Sequence, residues 1–175
     1  MKLKMITAAY AFAVGSVLAD TTPIMLSLWD PVQFPSDEYD VMGLRLSALC
    51  ECRDFTGLDV GLLQCSQGDF CWVAVGGSAK VDGSACGVHI TGLGNCVGND
   101  LHGVQIAGWG NEVKCDGYGI LVGALWGNRT KDIFGMQIGL INGADAVGSG
   151  VQIGLWNHIG NNGWASNLPI VNGHF

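Results

Sequence analysis

The sequence predicts an all-β protein, a repeat β-solenoid of about eight rungs with a ~16-residue period and non-repeat caps. Three observations predict it: near-copies of one short segment, columns that alternate with period two, and abundant Gly with few charges. The copies are clearest late in the chain. Gly135-Met136-Gln137-Ile138-Gly139-Leu140-Ile141-Asn142 and Gly150-Val151-Gln152-Ile153-Gly154-Leu155-Trp156-Asn157 nearly repeat each other, and Gly103–Trp109 is a third version. Weaker units begin at Gly43, Gly57, Cys71, Gly87 and Gly119, giving spacings of 14, 14, 16, 16, 16, 16 and 15 residues.

The columns supply the physical reason for a strand in each unit. Position two is Leu44, Leu58, Trp72, Val88, Val104, Ile120, Met136 and Val151; position four is Leu46, Val60, Ala74, Ile90, Ile106, Val122, Ile138 and Ile153. Both are apolar throughout. Between them, position three (Arg45, Asp59, Val73, His89, Gln105, Leu121, Gln137, Gln152) is mostly polar, and position five is small in most copies. Alternate residues of a strand face opposite sides, so each unit opens with a half-buried strand, apolar positions inward and polar positions outward. The remainder of each unit carries Gly, Asn, Asp and one or two apolar residues such as Phe55, Phe70, Val113 or Val147, which suits turns around a second short strand. A unit this small cannot bury its own apolar side; stacked units can. Asn142 and Asn157 fall in one column at a corner, where Asn tolerates left-handed backbone and can bond along the stack.

The 28 glycines, without a collagen period, fit tight turns and closely stacked backbones. The competing architecture is a closed antiparallel β-barrel in an outer membrane, since Val171, Gly173 and Phe175 alternate as such barrels end. A membrane strand takes ~9–11 residues, however, and one repeat unit cannot hold two of them with their turns.

The organisation that follows is a signal peptide at 1–19, an N-terminal cap at 20–42, the repeat domain at 43–160 and a C-terminal cap at 161–175. Lys2 and Lys4 precede an apolar stretch from Met5 to Leu18, and Val17-Leu18-Ala19 resembles a cleavage site, so Asp20 is the expected mature start. The alternative for this stretch is a buried or membrane-spanning helix. No Cys follows the site, which argues against a lipid anchor, and no later stretch reads as a transmembrane helix. Loss of the two lysines shifts the net charge of −7 to −9, which excludes nucleic acid as a partner and disfavours anionic lipid.

Export would make disulfides feasible among the seven cysteines, and an odd number leaves at least one thiol free or intermolecular. Cys71 and Cys86 fall within one column of each other and are the first candidate pair; Cys65 with Cys50 or Cys52 is the next.

Several stretches resemble a family of bacterial surface-repeat proteins, first described as leptospiral lipoproteins, with repeats of the form Gly-Leu-Gln-Ile-Gly-Leu-Val-Asn. The likeness covers 135–142 and 150–157, the opening Leu26–Gln33, the step Tyr39–Leu46, the segment Gly57–Leu62 and the ending Leu168–Phe175. The chain departs from it in lacking a lipidation Cys and in its degenerate middle repeats. The resemblance implies an exported protein of the cell envelope, at the outer-membrane surface or outside the cell, and brings no catalytic residues.

No nucleophile elbow, phosphate loop or zinc-protease motif is present. The four histidines do not converge in sequence, and the Asp residues from Asp54 to Asp145 read either as a ligand ladder or, more simply, as turn residues. Neither catalytic, cofactor nor metal residues are assigned. The reading is a non-enzymatic surface protein meeting an unidentified protein or glycan. Gln105, Gln137 and Gln152, with Trp109, Trp126 and Trp156, form its candidate interaction face; the alternative for the tryptophans is corner packing inside the stack. The alternatives are an outer-membrane barrel or pore and a small carbohydrate-active solenoid enzyme.

Overall fold

The computed structural model describes residues 21–29 and 32–174, so the signal-peptide assignment at 1–19 lies outside the described residues. The strands are β1 (Thr21–Trp29), β2 (Val32–Phe34), β3 (Asp40–Cys52), β4 (Phe55–Ser66), β5 (Phe70–Val81), β6 (Ala85–Thr91), β7 (Gly94–Val97), β8 (Leu101–Ala107), β9 (Gly110–Gly123), β10 (Gly127–Gly139), β11 (Ile141–Ile159) and β12 (Asn167–His174). They form one sheet system that coils as a β-solenoid of about eight turns. Each rung has two arms. The first runs through the repeat columns; the second follows a corner, as β7 follows β6 within one rung.

Successive rungs pair parallel and in register: Gly43 with Gly57, Gly57 with Trp72, Trp72 with Gly87, and on through Gly103, Gly119, Gly135 and Gly150. Parallel pairing between rungs excludes the closed antiparallel barrel. The third unit starts at Trp72 and not at Cys71, because a Trp stands where the other units carry Gly. The glycine signal is missing there, and Val73, Ala74 and Val75 each move one column.

The glycine column has a steric cause. Gly57, Gly103, Gly119 and Gly135 have φ between 139° and 149°, and a Cβ on any of them would meet the carbonyl oxygen of the preceding rung at 1.9–2.1 Å. The bend in the first arm therefore excludes side chains on that side.

The larger correction concerns which face is inside. Column three is the interior: Arg45, Asp59, Ala74, His89, Gln105, Leu121, Gln137 and Gln152 are all 0–1 % exposed. The apolar columns two and four face outward, with Leu58, Val60, Ile106 and Ile120 each about 40 % exposed. Alternation establishes two faces but not their assignment. The glycines of column one and the small residues of column five are in phase with column three, where the backbone of the adjacent rung leaves no room for larger side chains. The apolar interior instead comes from the residue two before each glycine (Val41, Phe55, Phe70, Ala85, Leu101, Ile133) and from the second arm (Cys52, Val81, Val97, Val113).

The second arm carries the other polar interior column. The Nδ2 of Asn95 donates to Asn111 Oδ1 at 2.8 Å, Asn111 to Asn128 at 2.8 Å, Asn128 to Asn142 at 2.8 Å and Asn142 to Asn157 at 2.9 Å. The corner column holding Asn142 and Asn157 thus bonds along the stack as the sequence predicts. Most of these amides also donate to a backbone carbonyl, Asn128 to Ile138 at 2.8 Å and Asn142 to Ile153 at 2.9 Å.

Both ends are closed by antiparallel pairing. β1, inside the predicted cap at 20–42, pairs parallel with β3 and extends the stack by half a rung, with Met25 in column three; the short β2 then turns back on β1. At the other end β12 pairs antiparallel with β11 and sets Asn172 opposite Gln152. Both edges of the stack are thereby covered by a short or Pro-containing strand.

Candidate functional site

Two surfaces stand out, on opposite sides of the stack. The outer side of the first arm is apolar. Columns two and four carry only Leu, Val, Ile and Met, and the column before the glycines adds Met42, Thr56, Cys71, Cys86, His102, Tyr118 and Phe134. Tyr118 stacks on His102 and on Phe134, each at 4.7 Å between centroids. None of these columns contains Asp, Glu, Lys or Arg.

The outer side of the second arm is polar, with Glu51, Cys65, Lys80, Cys96, Glu112 and Arg129 in one registered column. Here lies a groove of about 850 Å³. Its floor is a column of Gly94, Gly110 and Gly127, where backbones approach so closely that a Cβ on Gly110 would sit 2.7 Å from the Gly127 carbonyl. Trp109 and Trp126, at the corner between the arms, are 52 % and 58 % exposed, with ring centroids 6.4 Å apart and planes tilted by 38°. Glu112 and Arg129 line the other side, and His158 and Asp145 lie toward one end.

The predicted interaction face is therefore divided. Trp109, Trp126 and Trp156 are exposed, the first two on the groove. Gln105, Gln137 and Gln152 are sealed inside and cannot meet a partner. Gln152 Nε2 donates to Gln137 Oε1 at 2.8 Å, and Gln137 Nε2 to Thr130 Oγ1 at 3.1 Å. Sequence reasoning missed the apolar face because it assigned those columns to the core, and it missed the groove because three single glycines in separate units do not read as a floor.

Three of the Asp residues in the candidate ligand ladder accept hydrogen bonds from backbone amides. Asp54 Oδ1 accepts from the Asp69 amide at 2.7 Å, Asp69 Oδ1 from the Ser84 amide at 2.8 Å, and Asp100 Oδ1 from the Asp116 amide at 3.1 Å. These carboxylates tie one rung's corner to the next. Among the described residues no group of three or more His, Cys, Asp or Glu is placed to hold a metal ion. His89 is buried edge-on against Phe70 at 4.5 Å, and burial pulls its imidazole down to about 4.

Cys71 and Cys86 face each other in one column and are joined by a disulfide. Cys50, Cys52, Cys65, Cys96 and Cys115 are free, so Cys65 is bonded to neither Cys50 nor Cys52. Burial pushes the Cys50 thiol up, and that of Cys52 to about 11, against the pull of the Arg45 guanidinium, so both stay protonated and unreactive at neutral pH.

Comparison with family models, with curated proteins and with solved structures gives no match. No described helix is long and apolar enough to cross a membrane.

Proposed function

We propose that the chain is an exported, non-enzymatic repeat protein of the cell envelope or surface, and that its polar side binds a neutral glycan along the Trp109–Trp126 groove. The observation that carries this reading is the exposed tryptophan pair beside a side-chain-free glycine floor. A sugar ring has an apolar C–H face and a rim of hydroxyls. Flat indole rings suit the first, and Glu112 and Arg129 offer an acceptor and donors for the second. The glycine floor lets the ring lie low against the backbone. A net charge of −7 disfavours acidic polymers, which selects for neutral ones. The signal-like N-terminus and the likeness to bacterial surface-repeat proteins support the location.

The test is a glycan array followed by titration calorimetry with the neutral oligosaccharides retained. Trp109→Ala and Trp126→Ala should each weaken binding at least tenfold, on the order of 1.4 kcal/mol or more, while the strand signal in circular dichroism is unchanged. Folded protein that retains no glycan overturns the reading. Turnover of a retained sugar in a hydrolysis screen would favour an enzyme instead.

A further inference from the structure

The apolar side of the stack is the larger anomaly, and it bears on assembly independently of the groove. Ten strands contribute to the first-arm sheet, from β1 and β3 to β11 and β12. At ~4.8 Å per strand and ~3.3 Å per residue, a face five residues wide and ten strands long covers roughly 700 Å². Contiguous apolar patches of this size on a monomer mark a binding surface.

We propose that this face is the contact between two copies of the chain, packed back to back as a sandwich. Area is the first argument: two such faces together bury roughly 1,400 Å², within the range of stable specific interfaces. Charge is the second. The face carries no charged column, whereas Glu51, Lys80, Glu112 and Arg129 all lie on the opposite side, so two acidic molecules meet there without opposing like charges. Shape is the third. Columns of Leu, Val and Ile at strand spacing form ridges that a second identical sheet can fill across a two-fold axis, as inner faces of β-sandwiches do. A bilayer is the poorer occupant. Surfaces that lie on membranes flank their apolar part with Lys and Arg, which this face lacks, and a net charge of −7 is repelled by anionic headgroups. Back-to-back packing leaves both tryptophan grooves pointing outward, one on each side of the dimer.

Sedimentation velocity of the purified chain at micromolar concentration should show a dimer. Val104→Lys with Ile120→Lys, placed mid-face in column two, should raise the dimer dissociation constant at least 100-fold and leave the strand signal intact. If the lysine pair fails to fold, Val104→Thr with Ile106→Thr keeps β-branched strand formers and should still weaken the dimer about tenfold. Trp109→Ala should leave the dimer unchanged, which separates this proposal from the glycan reading. A monomeric wild-type chain overturns the proposal, as does a dimer indifferent to both pairs. So does co-flotation with phosphatidylcholine or phosphatidylglycerol vesicles that the face substitutions abolish.

Discussion

The two halves of the stack solve the same interior problem differently. From Asn95 onward the second-arm column is a run of identical amides, each donating to the next and most also to a carbonyl. In the first rungs that column is Cys50, Gln64 and Ala79, and the first-arm interior column beside it is mixed. Arg45 is ion-paired with Asp59, donates to Cys65 O at 3.1 Å and to Cys52 Sγ at 2.7 Å, and lies over the Phe55 ring at 4.6 Å. Arg45 Nε, Asp59 Oδ1, Gln64 Oε1 and both His89 nitrogens have no hydrogen-bond partner; further along the stack the same holds for Asn95 Oδ1, both amide atoms of Gln105 and Gln152 Oε1. Within the Asn run each amide from Asn111 on accepts from the one before it, and the first, Asn95, leaves its oxygen without a partner; a heterogeneous column depends on each local pair. The early rungs are accordingly the place where single substitutions cost most.

The sharpest test of that contrast sets Asp59→Ala against Asn128→Ala. Burial pushes the Asp59 carboxyl up while Arg45 pulls it down; the pair stays ionised because a neutral Asp59 would strand the guanidinium in the core. Removing the carboxylate strands it outright, at a cost of about 4 kcal/mol. Asn128→Ala removes bonds to Asn111, Asn142 and the Ile138 carbonyl, but the neighbouring amides keep their own carbonyl partners, so the cost is about 2 kcal/mol. Urea unfolding of the two variants measures the difference. A larger loss at Asn128 would mean that the ladder acts as one cooperative unit and would break the comparison.

His89 gives the early rungs a pH dependence that the ladder lacks. Its folded value is about 4, against about 6.5 in the unfolded chain. As pH falls below about 6.5 the unfolded chain takes the proton first, so stability drops, and the loss is complete below about pH 4, where it reaches about 3 kcal/mol. His89→Gln matches the residue found in this column at 105, 137 and 152 and should flatten the profile over that window. Unfolding midpoints at pH 7, 5 and 4 for both proteins isolate the contribution. Identical profiles would mean that the imidazole is already charged or solvated in the fold.

What the sequence made legible follows the same division. The late units are near-copies, so their register, their Asn142–Asn157 column and the solenoid itself are visible as repetition. The face assignment was not, because Leu44 and Leu46 look like core and Gln137 and Gln152 look like surface. Only the phase shared with the crowded glycines says otherwise, and steric crowding between rungs is a property of the stack, not of any one unit. The groove is hidden for a related reason. Gly94, Gly110 and Gly127 occur in different sequence contexts and become one floor only through inter-rung pairing. Trp109 and Trp126 were visible as a corner column, but the sequence favoured packing inside the stack over the exposure that the structure gives them.

Trp72 is where the early rungs depart most plainly from the repeat. It occupies the glycine column with φ of 105° and is 66 % exposed, so it bears the backbone strain of that position without gaining burial. Its register partners Gly57 and Gly87 show what the position prefers. Trp72→Gly should relieve strain worth more than the added freedom of the unfolded chain, raising stability by about 1 kcal/mol, or about 3 °C in Tm for a domain of this size. The gain should appear in a melt at fixed protein concentration, with Trp109→Gly at an exposed corner as the control for losing an indole alone. A fall in Tm at Trp72 would show that the exposed ring is held by a contact worth more than the strain of its backbone.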